Sequence, residues 1–210
     1  MPTRLPPTFF ARPDVVQIAR ELIGCELHST IGDAPTGGII VETEAYRAPD
    51  DRACHATAPD QTPLRTARTE TMFGPPGHSY VYLCYGIHRM LNLVTGPDGE
   101  AHAILLRAIE PTYGLEAMRE RRRHPKRVVD LTNGPGKVGE AIGLQLTHNA
   151  LDVTAVGSPV YLTSRPADWN GTITSGPRVG VAYAKECALR PWRFRLAGSR
   201  FAGRQEPTYA

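Results

Sequence analysis

The stretch Tyr80–Glu110, YVYLCYGIHRMLNLVTGPDGEAHAILLRAIE, decides the fold. Its aromatic and β-branched residues fall into three runs, Tyr80–Tyr85, Met90–Thr95 and Ala103–Glu110, and such residues favour strands. Gly86 divides the first run from the second. Gly96-Pro97-Asp98-Gly99 divides the second from the third with residues that punctuate chains. Upstream, Cys25–Thr30 and Gly38–Tyr46 read as two more strands. They follow a helix over Asp14–Gly24, where Pro13-Asp14 offers a start, Val15, Ile18, Ala19, Leu22 and Ile23 make one apolar stripe, and Gly24 a stop. Residues 47–79 hold prolines, Asp50-Asp51 and arginines with weak periodicity, which predicts a long loop, functional or disordered. Downstream, Leu115–Arg123 predicts a helix, and Asn133-Gly134-Pro135-Gly136-Lys137 leads into another that ends near Gly143. Strands are predicted around Val153–Ala155, Val160–Thr163, Arg178–Ala184 and Arg193–Leu196. Short mixed strands with segregated helices define an α+β protein. The expectation is one domain over residues 1–210, with a curved, mostly antiparallel sheet, flanking helices and a protruding β-hairpin. The termini, about 1–10 and 203–210, are expected to be flexible.

The 210 residues suffice for one large domain with a hydrophobic core. A hydrophobic fraction of 41% and a charged fraction of 21% argue against a disordered chain. The formal net charge of +3 does not by itself imply nucleic acid, since basic residues must gather on one face to do so. Lysine occurs only at Lys126, Lys137 and Lys185, so arginine supplies 21 of the 24 basic residues. That bias suits bidentate phosphate binding, and a GC-rich genome produces it equally. Cys25, Cys54, Cys84 and Cys187 stand far apart without a C-x-x-C or H-E-x-x-H pattern, so no metal site is expected and reduced thiols in a cytoplasm fit. No secretion signal and no apolar run of about 18 residues is visible.

Three features carry chemistry. Glu42, Glu44 and Tyr46 share a face at the end of an apolar strand by the period-two rule, either as a solvated edge or as a carboxylate site. Tyr80, Tyr82 and Tyr85 crowd six residues. A packed sheet accounts for the first two, but Gly86 marks a turn, and a tip exposing Tyr85 and Ile87 costs solubility unless those side chains insert into something. Apolar wedges of this kind enter the DNA minor groove between base pairs. The tract Arg119, Arg121, Arg122, Arg123, Lys126, Arg127 packs six charges into nine positions, as a solvated helix end or as a phosphate footprint.

In order along the chain stand V-E-T-E-A-Y at Val41–Tyr46, His55, M-F at Met72-Phe73, Y-V-Y-x-x-Y-G at Tyr80–Gly86, Asn92, L-L-R-A-x-E-P at Leu105–Pro111, G-P-x-K at Gly134–Lys137 and R-V-G-V at Arg178–Val181. This ordered set resembles the alkyladenine (3-methyladenine) DNA glycosylases over roughly residues 10 to 200. The resemblance implies an enzyme that flips an alkylated or deaminated purine from double-stranded DNA and hydrolyses its N-glycosidic bond. Tyr85 then matches the residue that fills the vacated stack, while Ile87 and His88 press on neighbouring pairs. Tyr46 and His55 match one wall of the base pocket, Tyr82 the other, and Leu105 a further lining residue. Asn92 matches the residue whose amide rejects guanine through its C2 amine. Glu44 matches the catalytic carboxylate, with Arg107 as the cation anchoring it. Thr62 and Lys137 match phosphate contacts. The segments Pro63–Met72 and Gly96–Glu100 are longer than the resemblance leads one to expect. None of the three lysines lies in the Glu44 or Tyr80 motifs, so water rather than an amine is the expected nucleophile. No cofactor, no metal, no membrane and a monomer are expected.

Two other readings fit parts of the chain. A non-catalytic sensor of distorted DNA would use the wedge but would not need a carboxylate beside a negatively charged backbone. A small-molecule carrier on a similar sheet would not need Tyr85.

Overall fold

A computed structural model describes residues 2–203. Eight strands form one antiparallel sheet: β1 Glu26–Ser29, β2 Thr36–Arg47, β3 Ser79–Cys84, β4 His88–Thr95, β5 His102–Tyr113, β6 Val160–Thr163, β7 Ile173–Gly176 and β8 Arg193–Leu196. The order is β3-β4-β5-β2-β1-β6. The long strand β2 serves two neighbours on one side. Its first half pairs β1 through Ile39 and its second half pairs β8 through Glu42–Glu44, with β7 outside β8. The protein is α+β with a curved sheet.

Four short helices accompany the sheet: α1 Pro7–Phe10, α2 Val15–Glu21, α3 Leu115–Arg121 and α4 Pro135–Ala141. Asp14 starts α2 because its Oδ1 accepts from the Val16 and Gln17 amides, both at 3.0 Å. The apolar stripe of α2, with Met118 of α3 and Val138 and Ala141 of α4, packs against Ala45, Val81, Leu91, Leu93, Ile104 and Leu106 of the sheet. That face is the main core. Glycines allow α4 to lie unusually close. A Cβ at Gly139 would stand 2.0 Å from the Arg89 carbonyl oxygen, and one at Gly136 would stand 2.7 Å from the His88 ring.

The other sheet face is set by register. Glu44 pairs Leu105, Leu105 pairs Asn92, and Asn92 pairs Tyr80. Tyr46 pairs Ala103, which pairs Val94. Because side chains alternate along a strand, these two transverse rows, the first across β2, β5, β4 and β3 and the second across β2, β5 and β4, face away from the helices.

Several expectations change. Residues 2–10 are not a flexible end: the Leu5 amide donates to the Leu162 carbonyl at 2.9 Å, and Leu5 and Phe10 are buried. The expectation for 204–210 lies outside the described residues, while Gly203 is held by a hydrogen bond to Glu42. Residues 47–79 are an ordered layer over the second sheet face, burying Ala48, Asp51, Ala53, Cys54, Ala56, Met72 and Phe73 and including a 3-10 turn at Glu70–Phe73. Their burial follows no single period because they cover the sheet as irregular chain. Val153–Ala155 is a turn, and only Asp152 makes an isolated bridge, to His78. Arg178–Ala184 is not a strand. Its backbone loops into a 3-10 segment at Ala182–Leu189, since Gly180 takes φ +75° and Arg178 is pulled inward by Asp51. The strand Ile173–Gly176 has no apolar alternation and went unrecognised.

Candidate active site

A cavity of about 540 Å³ opens on the second sheet face. The sheet contributes Tyr46, Tyr80, Tyr82, Asn92, Ala103, Leu105 and Arg107. The covering layer adds His55, Arg68 and Met72, and the chain after β7 adds Val179, Gly180, Val181 and Tyr183. Its size and mixed lining are those of a site for a small organic group.

Glu44 is fully buried, one layer beneath the cavity wall. All three groups that touch its carboxylate line the cavity. Its Oε2 accepts from the Tyr46 hydroxyl at 2.7 Å and from Arg107 Nη1 at 3.3 Å, and its Oε1 accepts from the Val179 amide at 2.7 Å. A carboxylate has about four acceptor directions, so one direction on Oε1 stays unused by these three. Arg107 reaches this position through irregular pairing. The register steps from Glu42↔Ala108 to Thr43↔Leu106, leaving Arg107 without a partner on β2. Such a bulge re-aims a side chain. Here it lets one guanidinium bridge Glu42, with Nε–Oε1 at 2.8 Å, and Glu44. Burial alone would lower the pKa of Arg107, but the Glu44 and Glu42 charges outweigh it and raise it above the usual value. Burial, then the Glu44 charge, holds the Tyr46 phenol well above its ordinary range.

The aromatic wall differs from expectation. Rather than facing each other across a slot, the His55 and Tyr82 rings touch edge to face, with centroids 4.8 Å apart and planes at 82°. A base held between parallel rings needs about 7 Å, two contact distances, so no ring fits between them in this form. His55 Nδ1 lies 3.2 Å from the Tyr80 hydroxyl, and Arg68 Nη2 donates to Nε2 at 3.3 Å. The Arg68 guanidinium also covers the Tyr82 ring at 4.7 Å. Burial pushes the His55 pKa down to about 4, and the Arg68 charge adds to the shift. Asn92 is buried, and its Nδ2 donates to the Tyr80 carbonyl at 3.0 Å, which fixes the amide plane; Leu105 lies beside it.

The β3–β4 hairpin carries the exposed tip. Tyr85 is 90% and Ile87 66% solvent-exposed, and His88 is exposed at the base of the turn. Tyr85 and Gly86 both have positive φ, +51° and +73°, the pattern of hairpin turns that normally take Asn or Gly. A tyrosine there costs roughly 1–3 kcal/mol of backbone strain, so the turn itself gains nothing from it.

Two expected contacts stand apart from the cavity. Thr62 is exposed and donates its hydroxyl to Asp60 at 2.7 Å, beside a carboxylate that would repel a phosphate. Lys137 Nζ donates to Asn133 at 2.7 Å, next to Pro135, which lines the cavity mouth. The x of the G-P-x-K motif is Gly136, where a Cβ would meet the His88 ring at 2.7 Å, whereas one at Gly134 would have only Lys137 near it, at 3.9 Å. Of the basic tract, Arg121 donates to the carbonyls of Ile31, Ala34 and Ala141, Arg122 pairs with Glu140, and Arg127 with Asp130. Arg121 and Arg122 thus serve the fold, while Arg127 makes an exposed local pair.

The sequence reading missed Arg178 and Asp51. Arg178 is buried, with Nη1 2.5 Å and Nη2 2.7 Å from the two Asp51 carboxylate oxygens. It also donates to the Ala45 carbonyl and lies 4.7 Å over the Tyr46 ring. It fixes the loop that delivers the Val179 amide to Glu44. The Asp50-Asp51 pair and the R-V-G-V motif were the visible signals.

The exposed tip at Tyr85 and Ile87 thus stands beside a cavity backed by the buried Glu44 carboxylate. The family model described as methylpurine-DNA glycosylase matches residues 8–200. A Chlamydia felis protein named "Putative 3-methyladenine DNA glycosylase" is 44% identical over 195 residues, covering 91% of this chain and 95% of its own. The protein of the same name from Chlamydia pneumoniae is 43% identical over 190 residues, 90% and 93% of the two chains. The one from Bacillus cereus is 36% identical over 207 residues, 95% and 98%. The chain belongs to the methylpurine-DNA glycosylase family. It is a DNA glycosylase, a hydrolase of N-glycosyl bonds that acts on damaged DNA in the repair of alkylation damage. Among the described residues, no helix is long and apolar enough to cross a membrane.

Proposed function

We propose that the enzyme binds double-stranded DNA as a monomer in the cytoplasm, extrudes a damaged purine nucleotide and hydrolyses its glycosidic bond with water as nucleophile. The substrates are 3-methyladenine, 7-methylguanine, ethenoadenine and hypoxanthine. The observation that carries this reading is the placement of the triply bonded Glu44 carboxylate directly behind the cavity that lies beside Tyr85.

Tyr85 enters the stack as the nucleotide leaves, with Ile87 and His88 against the adjacent pairs. Extrusion costs a few kcal/mol and least for a weakly paired base, which favours damage. The base enters among Tyr46, His55, Tyr82 and Leu105 once Arg68 withdraws from Tyr82. A neutral His55 adds no repulsion to a cationic alkylpurine, and aromatic faces attract it. Asn92, fixed by the Tyr80 carbonyl, disfavours a C2 amine and so rejects neutral guanine, while 7-methylguanine offsets that penalty through the attraction of its cationic ring to the aromatic faces. As the purine departs, the sugar gains positive charge. Glu44 opposes that charge and takes a proton from a water that enters between Arg107 and Val179. A cationic purine leaves without protonation, whereas neutral hypoxanthine has no evident acid in the site. Lys137 and Thr62 are proposed to contact phosphate, Thr62 only if Asp60 releases its hydroxyl.

Release of free base from duplexes carrying each lesion tests the reading, with Glu44→Gln alongside. Glu44→Gln should keep binding duplex and lose most turnover. Unchanged turnover removes the mechanism, and borohydride trapping of a covalent adduct would replace water with an amine.

A further inference from the structure

Glu42 lies two residues before Glu44 and is buried. Arg107 lines the cavity, but the Arg193 and Gly203 donors to Glu42 do not, so Glu42 stands further from the cavity than Glu44, whose three partners all line it. Its carboxylate nonetheless holds three strong donors. Oε1 accepts from Arg107 Nε at 2.8 Å and from Arg193 Nε at 2.7 Å, and Oε2 accepts from the Gly203 amide at 2.6 Å. A buried carboxylate is costly unless paired and hydrogen-bonded. An apolar pair would suit a purely structural position at least as well. The shorter of the two Arg107 bonds goes to Glu42, at 2.8 Å against 3.3 Å to Glu44. The plane of that guanidinium is therefore set from behind, and Glu44 receives the Nη1 that this orientation leaves.

We infer that Glu42 is a positioning residue for base hydrolysis: it aims Arg107 at Glu44, and the segment Ser199–Gly203 holds Glu42 in place. The segment is fastened for this purpose. Phe201 is buried against Val41 and Ala108, and Arg195 Nη1 donates to the Gly203 carbonyl at 3.2 Å. A Cβ at Gly203 would lie 3.1 Å from Glu42 Oε2 and 2.7 Å from Arg193 Nη2, so a side chain there must displace both groups. Sharing the Arg107 charge between two carboxylates also leaves the site with less positive potential where the sugar becomes cationic. Burial alone would raise the pKa of Glu42, but the Arg107 and Arg193 charges outweigh it and hold the carboxyl below its ordinary value.

This inference rests on the proposed role of Glu44, and the test separates the two. Single-turnover base release is measured across pH for Glu42→Gln, Gly203→Ala and Glu44→Gln, with binding to an abasic-site duplex and thermal melting in parallel. Glu42→Gln should slow release about ten- to hundredfold, the worth of a hydrogen bond to a charged group, with duplex affinity unchanged. The acid limb of its pH–rate profile should move to lower pH, because Arg107 then acts on the site with its whole charge. Should Glu42→Gln fail to fold, Gly203→Ala decides: its methyl group presses on Glu42 from outside the cavity and should slow release with duplex affinity unchanged and the profile unmoved, because both carboxylate charges remain. Wild-type rates in whichever variants fold, or slower rates with an unmoved profile in Glu42→Gln, would overturn the inference. Full activity in Glu44→Gln would instead overturn the reading on which it rests.

Discussion

The hydroxyl of Tyr46 donates to Glu44 at 2.7 Å from two positions along the same strand, so the cavity wall and the carboxylate behind it form one unit. Tyr46→Phe keeps the ring and removes that donor. Losing a hydrogen bond to a charged group is worth about 1.5–3 kcal/mol. The rate of base release should therefore fall about ten- to hundredfold, with KM little changed. Steady-state kinetics on an alkylated duplex check this, and a change confined to KM would assign Tyr46 to base stacking alone.

Tyr85 is strained where it stands, with φ +51° at the hairpin tip. Tyr85→Asn replaces it with a residue that tolerates this conformation. The variant should melt at the same or a higher temperature, by up to about 1 kcal/mol, while capture of extruded bases weakens. Normal excision with a stable fold would show that the wedge lies elsewhere.

Gly136 fixes the lean of the hairpin, because an added Cβ would meet the His88 ring at 2.7 Å. In Gly136→Ala, His88 and the strand bearing it must shift from α4. The expected cost is about 1–3 kcal/mol in stability, with a larger loss in duplex binding than in thermal melting. Equal binding by the variant would mean that hairpin position does not matter.

His55 titrates at about 4 in the folded protein, well below the ordinary value, through burial first and the Arg68 charge second. Between these values the unfolded chain carries the extra proton, so folding stability is lost as pH falls from about 6.5 toward 4. The loss is on the order of 3 kcal/mol and should be absent in His55→Gln, as chemical denaturation at several pH values would record. Arg68→Gln should raise the His55 pKa, measurable by NMR titration; no movement would place the whole shift on burial.

Excision of neutral hypoxanthine should be slower and more dependent on pH than excision of cationic 7-methylguanine, because the site offers no second acid beside Glu44. Equal rates with flat pH profiles for both lesions would refute this.

Local chemistry was readable wherever neighbouring residues settle it. The turn at Tyr85-Gly86, the three strands of Tyr80–Glu110 and the shared face of Glu42, Glu44 and Tyr46 follow from side-chain alternation and turn preference alone. The sequence by itself therefore determined the central strands and the exposed tip at Tyr85, while the choice of Glu44 over Glu42 as the carboxylate came from the family resemblance. Only the tertiary structure decided how that carboxylate is held. Val179 and Asp51 join the site across 135 and 127 residues, through Glu44 and Arg178 respectively, and no periodicity spans such distances. The register step that frees Arg107 depends on how two strands meet, and a strand's own sequence does not fix its register against a neighbour when both faces are buried. The ordered layer over 47–79 likewise packs by shape against a sheet that exists only once the chain has folded.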